Sequence, residues 1–163
     1  NQKIYKTSSP RIKIIQKIYG TLMNPDEEII YPKSQYRKYI KDVVSGTLER
    51  MELIEDTIVK NIKQDIDLKK TDKLLKIILF SAVFELMFKH NTPKNVVISE
   101  YVRASEFFLE KSQISYLNAI LDKLSKLIRK EWLTDNLPRI TEKFNLPFFN
   151  IFGIYRWYKW III

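Results

Sequence analysis

Apolar residues along this chain recur at helical rather than strand spacing. Ser8-Ser9-Pro10 reads as a helix start, with Ser9 as cap and Pro10 in the first turn. Ile12, Ile15, Ile18, Tyr19 and Leu22 then fall on one face, while Lys13, Gln16 and Lys17 share a solvent face, and Asn24-Pro25-Asp26 ends the segment. A second periodic segment begins near Lys33 and carries Tyr36, Tyr39/Ile40, Val43/Val44, Leu48 and Met51; a third, after a break near Arg50 to Glu52, carries Ile54, Ile58, Ile62 and Ile66. Thr71 is expected to cap the next helix. From Leu74 to Phe88 apolar residues go nearly all the way round, so that helix belongs at the centre, with Lys76 and Glu85 as exceptions. Asn91-Thr92-Pro93 repeats the cap-plus-proline signal before a stripe of Val97, Tyr101, Ala104 and Phe108, with Ile98, Val102 and Leu109 beside it. Ser112 is expected to cap a last seam of Ile114, Leu117, Ile120/Leu121, Leu124 and Leu127/Ile128. No segment alternates with period two, which makes the chain all-α.

Residues 131–163 read differently. They hold all three tryptophans, Pro138 and Pro147, and a final aromatic, basic run from Phe148 to Ile163. That run is too short and too charged for a membrane-crossing helix, which needs about 20 apolar residues. It suits core packing, an interfacial segment, a lid or a partner-binding element. The expected organisation is therefore a helical domain over 1–130 and a C-terminal extension over 131–163.

Composition narrows the chemistry. The 163 residues, 45% hydrophobic and 29% charged, suit one globular domain. There is no cysteine, which removes disulfides, thiolate metal sites and cysteine nucleophiles and suits a reducing cytoplasm. Three glycines, Gly20, Gly46 and Gly153, cannot build a Gly-rich phosphate loop. One histidine, His90, offers little for metal binding or proton transfer and no nucleophile–base–acid set. Glu27-Glu28, Glu55-Asp56 and Asp65/Asp67 lie in polar stretches and read as solvated carboxylates. The expectation is no enzyme, no cofactor, no metal and no small-molecule substrate. Residues 1–20 lack the uninterrupted apolar run of a secretory leader, and a start at Asn1 leaves the native N-terminus open.

The net charge of +9 asks for a polyanionic partner, and it sits at the ends: +6 over residues 1–41, −2 over 42–122 and +5 over 123–163. Single-stranded RNA is held by cations on phosphates and aromatic rings stacked on bases. The first helix offers Arg11, Lys13, Gln16, Lys17 and Tyr19, after a lead-in with Lys3 and Lys6. The start of the helix at Ser112 offers free N–H groups and a positive dipole end, with Lys111, Gln113, Ser115 and Tyr116 around it.

Several short motifs, in order and spacing, resemble the NusB family of transcription antitermination factors over about residues 10–129. They are Arg11, Gln16 and Ile18-Tyr19; Val43-Val44-Ser45-Gly46; Glu55-Asp56-Thr57-Ile58; Phe84-Glu85-Leu86; Pro93; Val96 to Glu100; and Tyr116 to Lys123. Ser99, Ala119 and Phe80 depart from the family pattern, and the link from Asn24 to Lys33 is shorter than usual. The resemblance implies a NusB-like bundle of two packed helical subdomains. It implies binding of the boxA element of ribosomal RNA leader transcripts together with the ribosomal protein NusE, on a transcribing RNA polymerase complex, so that premature termination is suppressed. By position it puts Arg11, Gln16, Tyr19, Ser112 and Tyr116 on the RNA. Glu85 and Glu100 are expected to be structural, with Lys76 and Arg103 as candidate partners. Two other readings are a detached NusB-like domain of an RNA cytosine methyltransferase and a membrane-peripheral protein using the tail. A homodimer stays open.

Overall fold

A computed structural model describes residues 9–31 and 33–143, with side chains through Lys130. Lys3, Lys6 and the aromatic run from Phe148 lie outside the described residues. Six helices make up the described fold: α1 (Pro10–Met23), α2 (Arg37–Glu49), α3 (Met51–Ile62), α4 (Lys73–Phe88), α5 (Lys94–Ser105) and α6 (Lys111–Lys143). Among the described residues there is no strand, and the all-α reading holds.

Local chemistry sets most of the boundaries. Pro10 opens α1 with Ser9 at the cap position, but the Ser9 side chain makes no capping bond; the fixed φ of proline and its missing N–H make the start. α2 begins at Arg37, not near Lys33, because the residues between are exposed and bury nothing; a turn from Ser34 O to Arg37 N–H (3.0 Å) occupies them. A lone residue, Arg50, separates α2 from α3. The cap of α4 is Asp72 and not Thr71: the carboxylate of Asp72 accepts from Leu75 N–H at 3.1 Å, while the Thr71 hydroxyl donates to Asp67 O. Nor does Ser112 cap α6. Glu110 stands there, its carbonyl accepting from Ile114 N–H (3.0 Å) and its N–H donating to Gln113 Oε1 (3.2 Å), one half of a capping box. Ser112 sits inside the first turn. The backbone of α6 passes residues 130 and 131 as helix.

α4 is the axis of the fold. Every residue from Ile77 to Leu86 is buried, and each of the other five helices packs on it. Around it α1 meets α2, α2 meets α3, α3 meets α6, α6 meets α5 and α5 meets α1. α1 with α2 forms one packed set and α5 with α6 the other, both sharing α4. α1 runs antiparallel to α4, since Arg11 meets Glu85 near one end and Lys73 Nζ lies 3.8 Å from Met23 Sδ at the other. α6 runs the same way as α4: Tyr116 reaches Asp65 before α4, and Arg129 reaches the carbonyls after it. α2 lies so close to α4 that a Cβ at Gly46 would come within 2.2 Å of the Phe84 ring, which requires glycine there.

Candidate nucleic-acid interface

The first turn of α1 divides its cations. Ile12, Ile14, Ile15 and Ile18 go into the core, which turns Gln16, Tyr19 and Gly20 outward and leaves Lys13 and Lys17 half-buried beside them. Tyr19 is 38% exposed. A Cβ at Gly20 would meet nothing within 4 Å, and Gly20 lines with Gln16 and Lys17 a hollow of about 190 Å³ whose far wall is Glu27 to Ile30 of the loop after α1.

Arg11 goes the other way. Its guanidinium, 11% exposed, pairs with Glu85 (Nη2 to Oε2, 3.1 Å) and with Glu100 (Nη1 to Oε2, 3.7 Å), over the rings of Tyr39 and Tyr101. Tyr39 and Tyr101 both donate their hydroxyls to Glu85 Oε1, Tyr101 at 2.8 Å. An ionised carboxylate inside an apolar helix is costly unless paired; Glu85, with no exposure, is met from α1, α2 and α5 at once. Burial works against the charge on Arg11, but the Glu85 carboxylate together with Tyr39 and Tyr101 outweighs it, and the guanidinium pKa is raised. Burial and the Glu85 charge together push the phenols of Tyr39 and Tyr101 well up. The structure therefore places the guanidinium of Arg11, a candidate RNA contact, in a brace between helices. Of the two candidate partners, Arg103 does pair with Glu100 (3.7 Å), while Lys76 pairs with Glu55 (3.6 Å) and not with Glu85.

The start of α6 is exposed at Lys111, Ser112, Ser115 and Tyr116, with Gln113 half-buried in its backbone contact. Ser115 opens onto a groove of about 590 Å³ between α5 and α6, lined also by Asn95, Ser99, Arg103 and Asn118. Tyr116 turns aside. Its hydroxyl donates to Asp65 O at 3.0 Å, and Lys123 pairs with the Asp65 carboxylate at 2.6 Å. Partial burial and Asp65 raise its pKa. α5 thus stands between the two predicted sites and touches both helices. Glu100 reaches Arg11 on one side and Arg103, on the groove rim, on the other. Ser115 faces that groove; Tyr116 faces the α3–α4 loop.

Sequence reasoning did not single out Tyr39, Tyr101, Asn118 or Arg129 as site or brace residues. Arg129 is 8% exposed and donates to the carbonyls of Lys89 (3.3 Å), His90 (3.2 Å) and Thr92 (3.0 Å), with Nη1 3.1 Å from His90 Nδ1. An apolar seam that places an arginine one step past Ile128 was the available signal. Among the described residues no group of three or more His, Asp or Glu could hold a metal ion, and no helix is long and apolar enough to cross a membrane.

Comparison with known proteins agrees with this architecture. A family model described as the NusB family matches residues 6–126. The transcription antitermination protein NusB of Sphingopyxis alaskensis is 24% identical over 80% of this chain and 99% of its own length. That of Mesorhizobium japonicum is 31% identical over 58% of this chain and 61% of its own length, and that of Nitrobacter hamburgensis is 30% identical over 56% and 57%. In these last two the chain spans about three fifths of the relative. A solved structure of T. maritima NusB superposes with a TM-score of 0.62 at 20% identity, covering 72% of this chain and 88% of that one, which is a likeness of fold. With the family model covering most of its length, the chain belongs to the NusB family.

Proposed function

We propose that this protein is a non-enzymatic, cytoplasmic RNA-binding factor in transcription antitermination. It binds boxA-type single-stranded RNA of ribosomal RNA leaders together with the ribosomal protein NusE, within a transcribing polymerase complex. The observation that carries this reading is the outward face of α1. Lys13 and Lys17 there flank Gln16 and Tyr19 beside the open backbone at Gly20. Cations supply sequence-independent affinity for phosphate, and an exposed ring supplies a stacking surface for a base. The groove between α5 and α6, lined by Arg103, Ser115 and Asn118, offers a second surface beside the start of α6. Arg11 acts behind the face, holding α1 on α4 and α5. Tyr116 contributes at the far margin, where Asp65 fixes its hydroxyl. Lys3 and Lys6 add phosphate contacts ahead of α1.

The test is titration of a labelled boxA-type RNA with and without NusE at several salt concentrations. Binding is expected to be salt-sensitive and strengthened by NusE, and Lys17→Glu is expected to weaken it. Equal binding of a neutral polymer, or an affinity unchanged by salt, would end the proposal.

A further inference from the structure

The loop between α3 and α4, residues 63–72, lies where α1 stops and α6 starts. On one side Tyr116 of α6 donates its hydroxyl to Asp65 O at 3.0 Å, and Lys123 pairs with the Asp65 carboxylate at 2.6 Å. On the other, Lys73 Nζ, at the first residue of α4, is 3.8 Å from Met23 Sδ. Met23 stands one turn along α1 from Tyr19, on the same face. The loop therefore joins the two helix ends that carry the rings of Tyr19 and Tyr116, 38% and 39% exposed.

This loop is fixed, and its cations turn outward. Buried Ile66 and Leu68 alternate with exposed Asp65, Asp67 and Lys69. Backbone bonds run from Asp65 N–H to Ile62 O (2.8 Å) and from Lys70 N–H to Asp67 O (3.1 Å). Each of its acids is engaged within the protein. Asp65 holds Lys123, Asp67 accepts from Lys69 N–H (3.1 Å) and pairs with Lys70 (3.5 Å), and Asp72 accepts from Leu75 N–H (3.1 Å). Lys63, Lys69 and Lys73 are exposed, and no described carboxylate pairs with them. From Lys60 to Lys73 five lysines stand against three aspartates. The other way between the two rings leads across α5, where Lys94 and Arg103 are balanced by Glu100 and Glu106. A run of phosphates is drawn to the first route and not to the second.

The geometry points to the α3–α4 loop as the bridge on which one RNA strand passes between Tyr116 and Tyr19. Its phosphates lie on Lys63, Lys69 and Lys73, and a base stacks on each ring. This rests on the RNA-binding reading above and adds the route. The lysines supply affinity without base preference, and the rings supply stacking. Asp65 is a positioning residue: its carbonyl holds the Tyr116 hydroxyl and its carboxylate holds Lys123 beside the path.

Titration of a labelled boxA-type RNA across a range of salt concentrations tests this with three full-length chains: the parent, Lys63→Gln with Lys69→Gln and Lys73→Gln, and a control. The control, Lys33→Gln with Lys38→Gln and Lys41→Gln, removes the same charge from exposed lysines in and before α2. The loop variant is expected to bind about ten-fold more weakly or worse, and its slope of log affinity against log salt to shrink by about 2, three contacts at about 0.7 each. The control is expected to keep the parent slope, and all three chains the same circular dichroism. RNA carrying 4-thiouridine, irradiated on the parent chain, is expected to cross-link within residues 63–73. An unchanged slope in the loop variant, an equal loss in the control, or cross-links that leave out residues 63–73 overturns the route while salt-sensitive RNA binding stands. A parent chain that binds no RNA ends the functional reading and the route together.

Discussion

Two arginines approach the C-terminal half of α4, and the protein treats them in opposite ways. Arg11 meets carboxylates, Glu85 at 3.1 Å and Glu100 at 3.7 Å, and its pKa is raised although burial alone would lower it. Arg129 meets backbone carbonyls, those of Lys89, His90 and Thr92, together with the His90 ring. Burial lowers its pKa, and the charge of Glu85 offsets that only in part. One arginine balances a buried charge between helices; the other ties down the turn between α4 and α5 by donating to three of its carbonyls. In both, the guanidinium is paired inside the protein. A net charge of +9 therefore overstates the cationic surface, and the lysines on the outer face of α1 carry more of it than the total suggests.

Breaking each arrangement should separate them, and the ion pair should cost most. Arg11→Met leaves Glu85 buried with two phenols and no counter-charge, which is expected to lower unfolding free energy by about 3–5 kcal/mol. Glu85→Gln in the same chain removes the stranded charge while keeping an acceptor for Tyr39 and Tyr101, so the double variant should recover a large part of that loss in urea denaturation. Arg129→Met removes donors from carbonyls that water can partly reach, and about 2–3 kcal/mol is expected in the same assay.

The two regions also differ in pH response. His90 has its pKa lowered from 6.5 by burial and by Arg129. The unfolded chain then takes up the proton more readily, so stability is present above 6.5 and falls as pH drops through the folded value. Tyr39 and Tyr101 have pKa values raised from 10.0. The folded chain keeps their protons longer, so stability is lost as pH rises above 10.0. A urea midpoint profile should decline on both sides, with His90→Gln flattening the acid limb and Tyr39→Phe the alkaline one. The smallest effect should come at Gly20, where a methyl group meets open space. Gly20→Ala is expected to stabilise by about 0.5–1 kcal/mol through helix entropy.

The helices and the central place of α4 were legible because apolar spacing is a local signal, and all-round burial of Ile77 to Leu86 follows from a segment with almost nothing polar in it. The second start was placed too early because Tyr36 fits the period yet is 47% exposed. Thr71 and Ser112 are good capping types, but the neighbours Asp72 and Glu110 took those positions, and local composition does not decide between adjacent candidates. The internal pairing of Arg11 was hidden for a different reason. Arg11 lies 74 residues from Glu85, and no local pattern says which cation a distant buried acid will claim. Arg103 pairs with Glu100, three residues away, as expected, but Lys76, nearer to Glu85 in sequence than Arg11, pairs with Glu55. Gln16 faces outward as expected from the polar side of a short, regular helix, whereas Tyr19, which the apolar spacing grouped with Ile12, Ile15 and Ile18, lies at the rim of the core and is 38% exposed.

The separation of a bracing Arg11 from a contacting Lys17 is tested most directly by the salt dependence of RNA affinity. For Lys17→Glu the slope of log affinity against log salt should shrink by about 0.7 or more, the value for one lost phosphate contact on a single strand. For the Arg11→Met, Glu85→Gln double variant, measured where it is fully folded, the slope should match the parent chain. A slope that shrinks in the double variant as it does for Lys17→Glu would put Arg11 on the RNA and contradict the assignment.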